Sequence, residues 1–148
     1  MSLKEQLAED LKSAMRNKET VRKDVVTMIR SSIKQVEVDE RKDCSDDDVI
    51  GIIMKQVKQR KDALDAFEQG QRQDLIEQTK VEIGILETYL PTPLTEEELA
   101  EIVKEAVTST QAQSMKDMGR VMTLVMEQTK GKADGKTVNQ LVRQQLSS

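Results

Sequence analysis

Histidine is absent from this chain, which removes the commonest general base and the commonest metal ligand. Tryptophan is also absent, and there is one phenylalanine and one tyrosine. A β-sandwich core draws on alternating aromatic and β-branched residues, so this poverty argues against one. The single cysteine, Cys44, excludes an intrachain disulfide. It lies in the polar stretch Arg41-Lys42-Asp43-Cys44-Ser45 and is expected to be exposed without a role. No apolar run approaches the roughly 20 residues of a membrane span, and Met1-Ser2-Leu3-Lys4-Glu5 lacks a signal peptide's apolar core. No membrane association and a cytoplasmic location are therefore expected.

What the 148 residues do contain is charge, 34% of the total, spaced by Leu, Ile, Val and eight Met. The regular apolar spacing predicts amphipathic helices throughout, hence an all-α fold. Ser2 with Glu5 reads as a capping box before a first helix with the stripe Leu3, Leu7, Leu11 and Met15. Thr20 is expected to cap a second, with Val25, Ile29, Ile33 and Val36, and the segment from Asp39 to Cys44 to loop. Ser45 followed by Asp46, Asp47 and Asp48 signals a third start, with Val49, Ile53, Val57, Leu64 and Phe67 inward and Gly70 at its end. A fourth helix runs from about Asp74 to Tyr89, with Ile76, Ile83 and Leu86 on one side. Gly84 within it is expected to allow close approach of a neighbouring helix.

Both prolines fall in Tyr89-Leu90-Pro91-Thr92-Pro93-Leu94-Thr95. Proline has no N–H and disfavours helical geometry in the residue before it, so one helix must end near Leu90. Thr95 with Glu98 forms a capping box for the next. This break predicts an N-terminal bundle of four helices over residues 1–90 and a small three-helix tail domain over 91–148. The tail helices carry Leu99, Ile102, Val103 and Ala106; then Met118, Val121, Met122, Val125 and Met126; then Val138, Leu141, Val142 and Leu146. Ser114 and Asp134 are expected to cap the second and third of them.

The net charge of −4 excludes a global basic footprint, but Met115 to Ser148 holds six basic residues against three acidic ones. Such asymmetry points to an anionic partner for that end. Gly131-Lys132-Ala133-Asp134-Gly135-Lys136-Thr137 imitates a phosphate loop but has three residues, not four, before Gly-Lys-Thr, and follows a helix and not a strand. A turn at a helix start, with lysines around it, instead suits phosphodiester contacts that read no bases. Consecutive carboxylates at Asp46-Asp47-Asp48 lack the spacing of an EF-hand. No nucleophile, metal cluster or cofactor motif can be assembled, so no catalytic residue, metal or cofactor is expected. The methionines at helical spacing are read as packing.

Several of these stretches occur together in one family. Glu87-Thr88-Tyr89-Leu90-Pro91 leads into Leu94-Thr95-Glu96-Glu97-Glu98-Leu99, followed by Met118-Gly119-Arg120-Val121-Met122 and Gly131-Lys132-Ala133-Asp134-Gly135. With Val25-Val26-Thr27-Met28-Ile29-Arg30 and Arg72-Gln73-Asp74-Leu75, the chain resembles the GatB/YqeY family over nearly its whole length. That family includes free-standing small proteins and the helical and tail portions of the B subunit of aspartyl/glutamyl-tRNA amidotransferase, a carbon–nitrogen ligase using glutamine as nitrogen donor. The resemblance implies a tail that touches tRNA, through Lys116, Arg120, Lys130, Lys132, Lys136 and Arg143. The B subunit's catalytic cradle has no counterpart here, so the implied role is an accessory to a glutamine-dependent amidotransferase without activity of its own. DNA is not an expected partner. The alternative is a helical module that binds a protein partner through its apolar faces and no nucleic acid.

Overall fold

The computed structural model describes residues 1–147, and among these all regular structure is helical. Seven α-helices follow in order: α1 Leu3–Arg16, α2 Thr20–Glu40, α3 Asp46–Gln69, α4 Gln73–Glu87, α5 Glu96–Ser109, α6 Met118–Gln128 and α7 Gly135–Ser147. A single 3-10 turn, Met115–Asp117, leads into α6. The chain divides into two compact units, Met1–Leu90 and Pro91–Ser148. Among the described residues, no helix is long and apolar enough to cross a membrane.

In the first unit, Leu7, Val25, Val26, Ile29, Ile33, Val49, Ile53, Ile83 and Leu86 close over one another. The stripe of α1 departs from the expected one. An α-helix turns about 100° per residue, so a repeat of four drifts about 40° at every step. By Met15 the drift has carried the side chain to solvent, 58% exposed, and Ala14 fills the core in its place.

The helix starts in this unit are fixed by side chains from two directions. Ser45 and Asp48 make a reciprocal capping box, while Asp46 accepts the N–H of Leu3 at 3.0 Å and so caps α1 from the start of α3. The three aspartates are thus helix-start devices. Ser2 supplies only half of the expected box, accepting from the Glu5 N–H. Thr20 is not a cap at all: it is the first helical residue, and Glu19 before it makes no side-chain cap bond.

Two further expectations are corrected. Cys44 is buried, not exposed, at 7%. Glu37, ion-paired to Lys4 at 2.5 Å, also accepts the Cys44 N–H at 2.9 Å and folds the 41–45 segment back over α2. The Cys44 sulfur faces the Ile33 carbonyl, and its burial pushes the thiol pKa up. Polar neighbours in sequence hid this, because the backbone and not the side chain is what Glu37 captures.

Gly84 permits no close approach: it is exposed, and a Cβ there would meet no atom within 4 Å. Glycine inside a helix costs about 1 kcal/mol relative to alanine through the extra freedom of the unfolded chain. Gly84→Ala is therefore expected to raise stability by about 0.5–1 kcal/mol, read as a higher urea midpoint at unchanged slope. A lower midpoint would mean that the position is crowded after all.

Four helices end with a non-glycine residue in the left-handed region: Lys18, Arg41, Gln71 and Gln111, with φ between 50° and 57°. After α3, the Arg72 N–H reaches the Phe67 carbonyl and the Gln71 N–H that of Glu68, a Schellman closure. Gly70 stands one residue too early to relieve the strain, in a right-handed conformation.

The first unit ends on Tyr89, whose ring is buried. Its hydroxyl donates to Asp10 at 2.5 Å, Asp10 pairs with Arg22 at 3.3 Å, and Arg22 with Glu19 at 2.8 Å. The only tyrosine thus ties the end of α4 to α1 and to the beginning of α2.

In the second unit, Leu99, Val103 and Ala106 of α5, Val121 and Val125 of α6, and Val138, Val142 and Leu146 of α7 form the core. Thr95 and Glu98 make the expected reciprocal capping box. Met118, Met122 and Met126 are partly buried against this core, the packing role read from their spacing, whereas Met115, read with them, lies on the 3-10 turn and is exposed.

Candidate nucleic-acid interface

The segment between α6 and α7 is held by backbone and side-chain bonds at every turn. Thr129, fully buried, closes α6 by donating both its hydroxyl and its N–H to the Val125 carbonyl. Gly131 takes a φ of 80°, a conformation that suits glycine alone, and the Lys132 N–H returns to the Thr129 carbonyl at 2.8 Å. The Lys132 carbonyl in turn accepts the Leu94 N–H at 2.9 Å. Asp134 then caps α7, its Oδ1 accepting the Thr137 N–H at 2.8 Å.

This frame presents Lys130, Lys132 and Lys136 outward, all exposed. The helix start itself is a poorer anion site than its spacing suggests, because the Asp134 carboxylate already occupies it. The Leu94 bond has a second effect. It anchors the chain beside the lysine loop two residues before the first turn of α5, which carries Glu96, Glu97 and Glu98. Residues 91–148 as a whole hold seven basic against eight acidic side chains.

The remaining candidates lie elsewhere. Lys116 sits on the 3-10 turn and Arg120 in the first turn of α6, both exposed. Helix α6, 11 residues and about 16 Å long at 1.5 Å per residue, separates Lys116 before its first turn from the lysine loop after its last, and Arg120 is its third residue. The Ser147 hydroxyl reaches the Met115 sulfur, so α7 runs back along α6 and brings Arg143 toward the Lys116 end. The six residues therefore form two groups, at opposite ends of one helical pair.

Their electrostatic states differ. Arg120 is committed to Asp117 at 2.6 Å, and Asp117 also accepts the Gln113 N–H. That backbone bond, followed by Arg120, holds the Asp117 carboxyl below the usual carboxylate range. Lys116, Lys130, Lys132, Lys136 and Arg143 enter no ion pair among the described residues. No three of His, Cys, Asp and Glu converge on a metal-sized space among the described residues.

The sequence profile of the family described as "Yqey-like protein" matches residues 4–146. Three relatives share the name "Altered inheritance of mitochondria protein 41, mitochondrial". That of Kluyveromyces lactis is 37% identical over 102 residues, covering 66% of this chain and 55% of its own. That of Pyrenophora tritici-repentis is 29% identical over 130 residues, covering 86% and 71%. That of Lachancea thermotolerans is 36% identical over 85 residues, covering 57% and 46%. The chain spans about half the length of the first and third of these relatives.

Their names overturn the expected cytoplasmic location, since they point to mitochondria. The expectation rested on an N-terminus read without a targeting signal, and composition carries no address of its own. Extending over all but a few terminal residues, the profile match establishes that this chain belongs to the YqeY-like family.

Proposed function

We propose that the protein binds structured RNA, tRNA first among the candidates, and serves as an accessory to tRNA-dependent amide transfer without catalysing it. The observation that supports the reading best is the presence of exposed cations at both ends of α6, a helix about 16 Å long. A lone phosphate cannot bridge that distance, whereas a nucleic-acid backbone can. Contact of this kind is electrostatic and shape-dependent, because one tyrosine, buried, and one phenylalanine leave no platform for stacked bases. The link to amide transfer is supported by the sequence likeness to the amidotransferase B subunit's tail. The compartment is taken from the relatives' mitochondrial names. We also propose that the two compact units fold as separate domains, of four and three helices.

The test is binding of purified protein to bulk tRNA and to duplex DNA of equal charge from 50 to 200 mM salt. A Lys132→Glu, Lys136→Glu double variant is expected to weaken tRNA binding about tenfold. It should also flatten the dependence of log affinity on log salt by about 1.5–2, near one contact for each lysine. Unchanged affinity and slope would remove this surface, and wild-type protein that ignores tRNA would remove the function. A protein partner held by apolar faces has less support: the exposed large apolar side chains of the first unit, among them Met15, Val21, Met28, Val38 and Val81, are scattered across its helices.

A further inference from the structure

Helix α2 carries a line of cations that the tail does not share. At about 100° per residue, Lys23, Arg30 and Lys34 fall within about 20° of one direction along the helix, and Arg41, the left-handed residue that ends it, follows just beyond. All four are exposed, and none enters an ion pair among the described residues. From Lys23 to Lys34 the line extends about 17 Å, at 1.5 Å per residue. Within about 40° of it, the only acidic side chain on α2 is Glu37, and Glu37 is already neutralised by Lys4. Arg30, Ser31 and Lys34 also line an open groove of about 520 Å³ between α1 and α2, together with the paired Lys4 and Glu37.

We infer that this stripe is a second backbone-binding surface for RNA, carried by the first unit and independent of the tail lysines. It rests on the reading that the partner is RNA and adds where a further part of it would lie. Unpaired cations along one helical line, with the one nearby carboxylate already held by Lys4, match a linear polyanion, and long side chains so placed can follow phosphates without reading bases. An anionic membrane surface fits less well. The exposed apolar residues of α2, Val21, Met28 and Val38, point at least about 60° away from the line, so no apolar edge accompanies the charge.

The experiment compares wild type, a stripe variant (Lys23→Glu, Arg30→Glu, Lys34→Glu) and the tail double variant. Each is titrated with bulk tRNA across 50–200 mM salt and with phosphatidylcholine vesicles containing phosphatidylglycerol. The stripe variant is expected to bind tRNA at least about tenfold more weakly, with a salt slope lower by about two to three. Combined with the tail variant, the losses should multiply. If the stripe variant binds tRNA like wild type while the tail variant is weakened, the inference fails and the RNA reading stands. If wild type does not bind tRNA, both fail together. If the stripe variant loses only vesicle binding, the stripe belongs to a membrane contact and the inference is overturned. Circular dichroism guards against misfolding, and a Lys23→Gln, Arg30→Gln, Lys34→Gln version substitutes should the reversal disturb the helix. Its slope should fall by the same amount.

Discussion

Replacing Tyr89 with alanine is expected to destabilise the first unit by about 3–5 kcal/mol, the range for truncating a buried aromatic. The ring is 6% exposed and belongs to the same core as Leu7, Val26 and Leu86. Its hydroxyl donates to the partly exposed Asp10 carboxylate, which is shared with Arg22. Burial first, and then Asp10, push the phenol pKa upward. It therefore remains a donor throughout the working pH range. Tyr89→Phe separates the two contributions. It keeps the packing and removes one bond to a charged acceptor, worth about 1.5–3 kcal/mol. Urea unfolding followed by far-ultraviolet circular dichroism reads both. A phenylalanine variant within about 0.5 kcal/mol of wild type would show that water replaces Tyr89 at Asp10 without loss.

Leu99→Ala is the second large change. Leu99 is buried in the first half of α5, against a core otherwise built mainly of Val, with Ala106 and Leu146. Removing it is expected to cost about 2–5 kcal/mol. A unit of this size has about 3–9 kcal/mol of stability to lose, at 0.05–0.15 kcal/mol per residue. The variant should therefore leave the tail largely unfolded at moderate temperature. If the units are separate domains, Tyr89 will report the outcome, since it is the only tyrosine and tryptophan is absent. Its fluorescence transition, inside the first unit, should stay where it is while the helical signal falls early. One shared transition moving for both probes would mean that the units do not fold apart.

The helices were legible because their signals are local. Thr95 with Glu98 and Ser45 before three aspartates declare helix starts through chemistry that completes itself within four residues. The inward faces of α5 to α7 followed from spacing alone. What escaped was nonlocal. That Glu37 would seize the Cys44 backbone, that Asp46 would cap α1, and that Leu94 would bind the Lys132 carbonyl depend on how the helices meet. The candidate site suffered in the same way. Its six cations were visible one by one, but their division between the two ends of α6 comes from packing. The stripe on α2 was open to sequence reading, since it needs only the 100° step. The first unit is acidic in sum, and a sum conceals a line.

The burial of Cys44 gives the molecule a clock. A thiol carried by the 41–45 segment and packed against α2, with its pKa pushed up by that burial, reacts with an aromatic disulfide reagent only when the segment lifts away. Where closing outruns the chemistry, the labelling rate measures the fraction of time spent open, and with it the free energy of a local motion far smaller than global unfolding. The Lys4–Glu37 bond holds the latch on that segment, so added salt should shorten the interval between openings while the rest of the first unit stays folded.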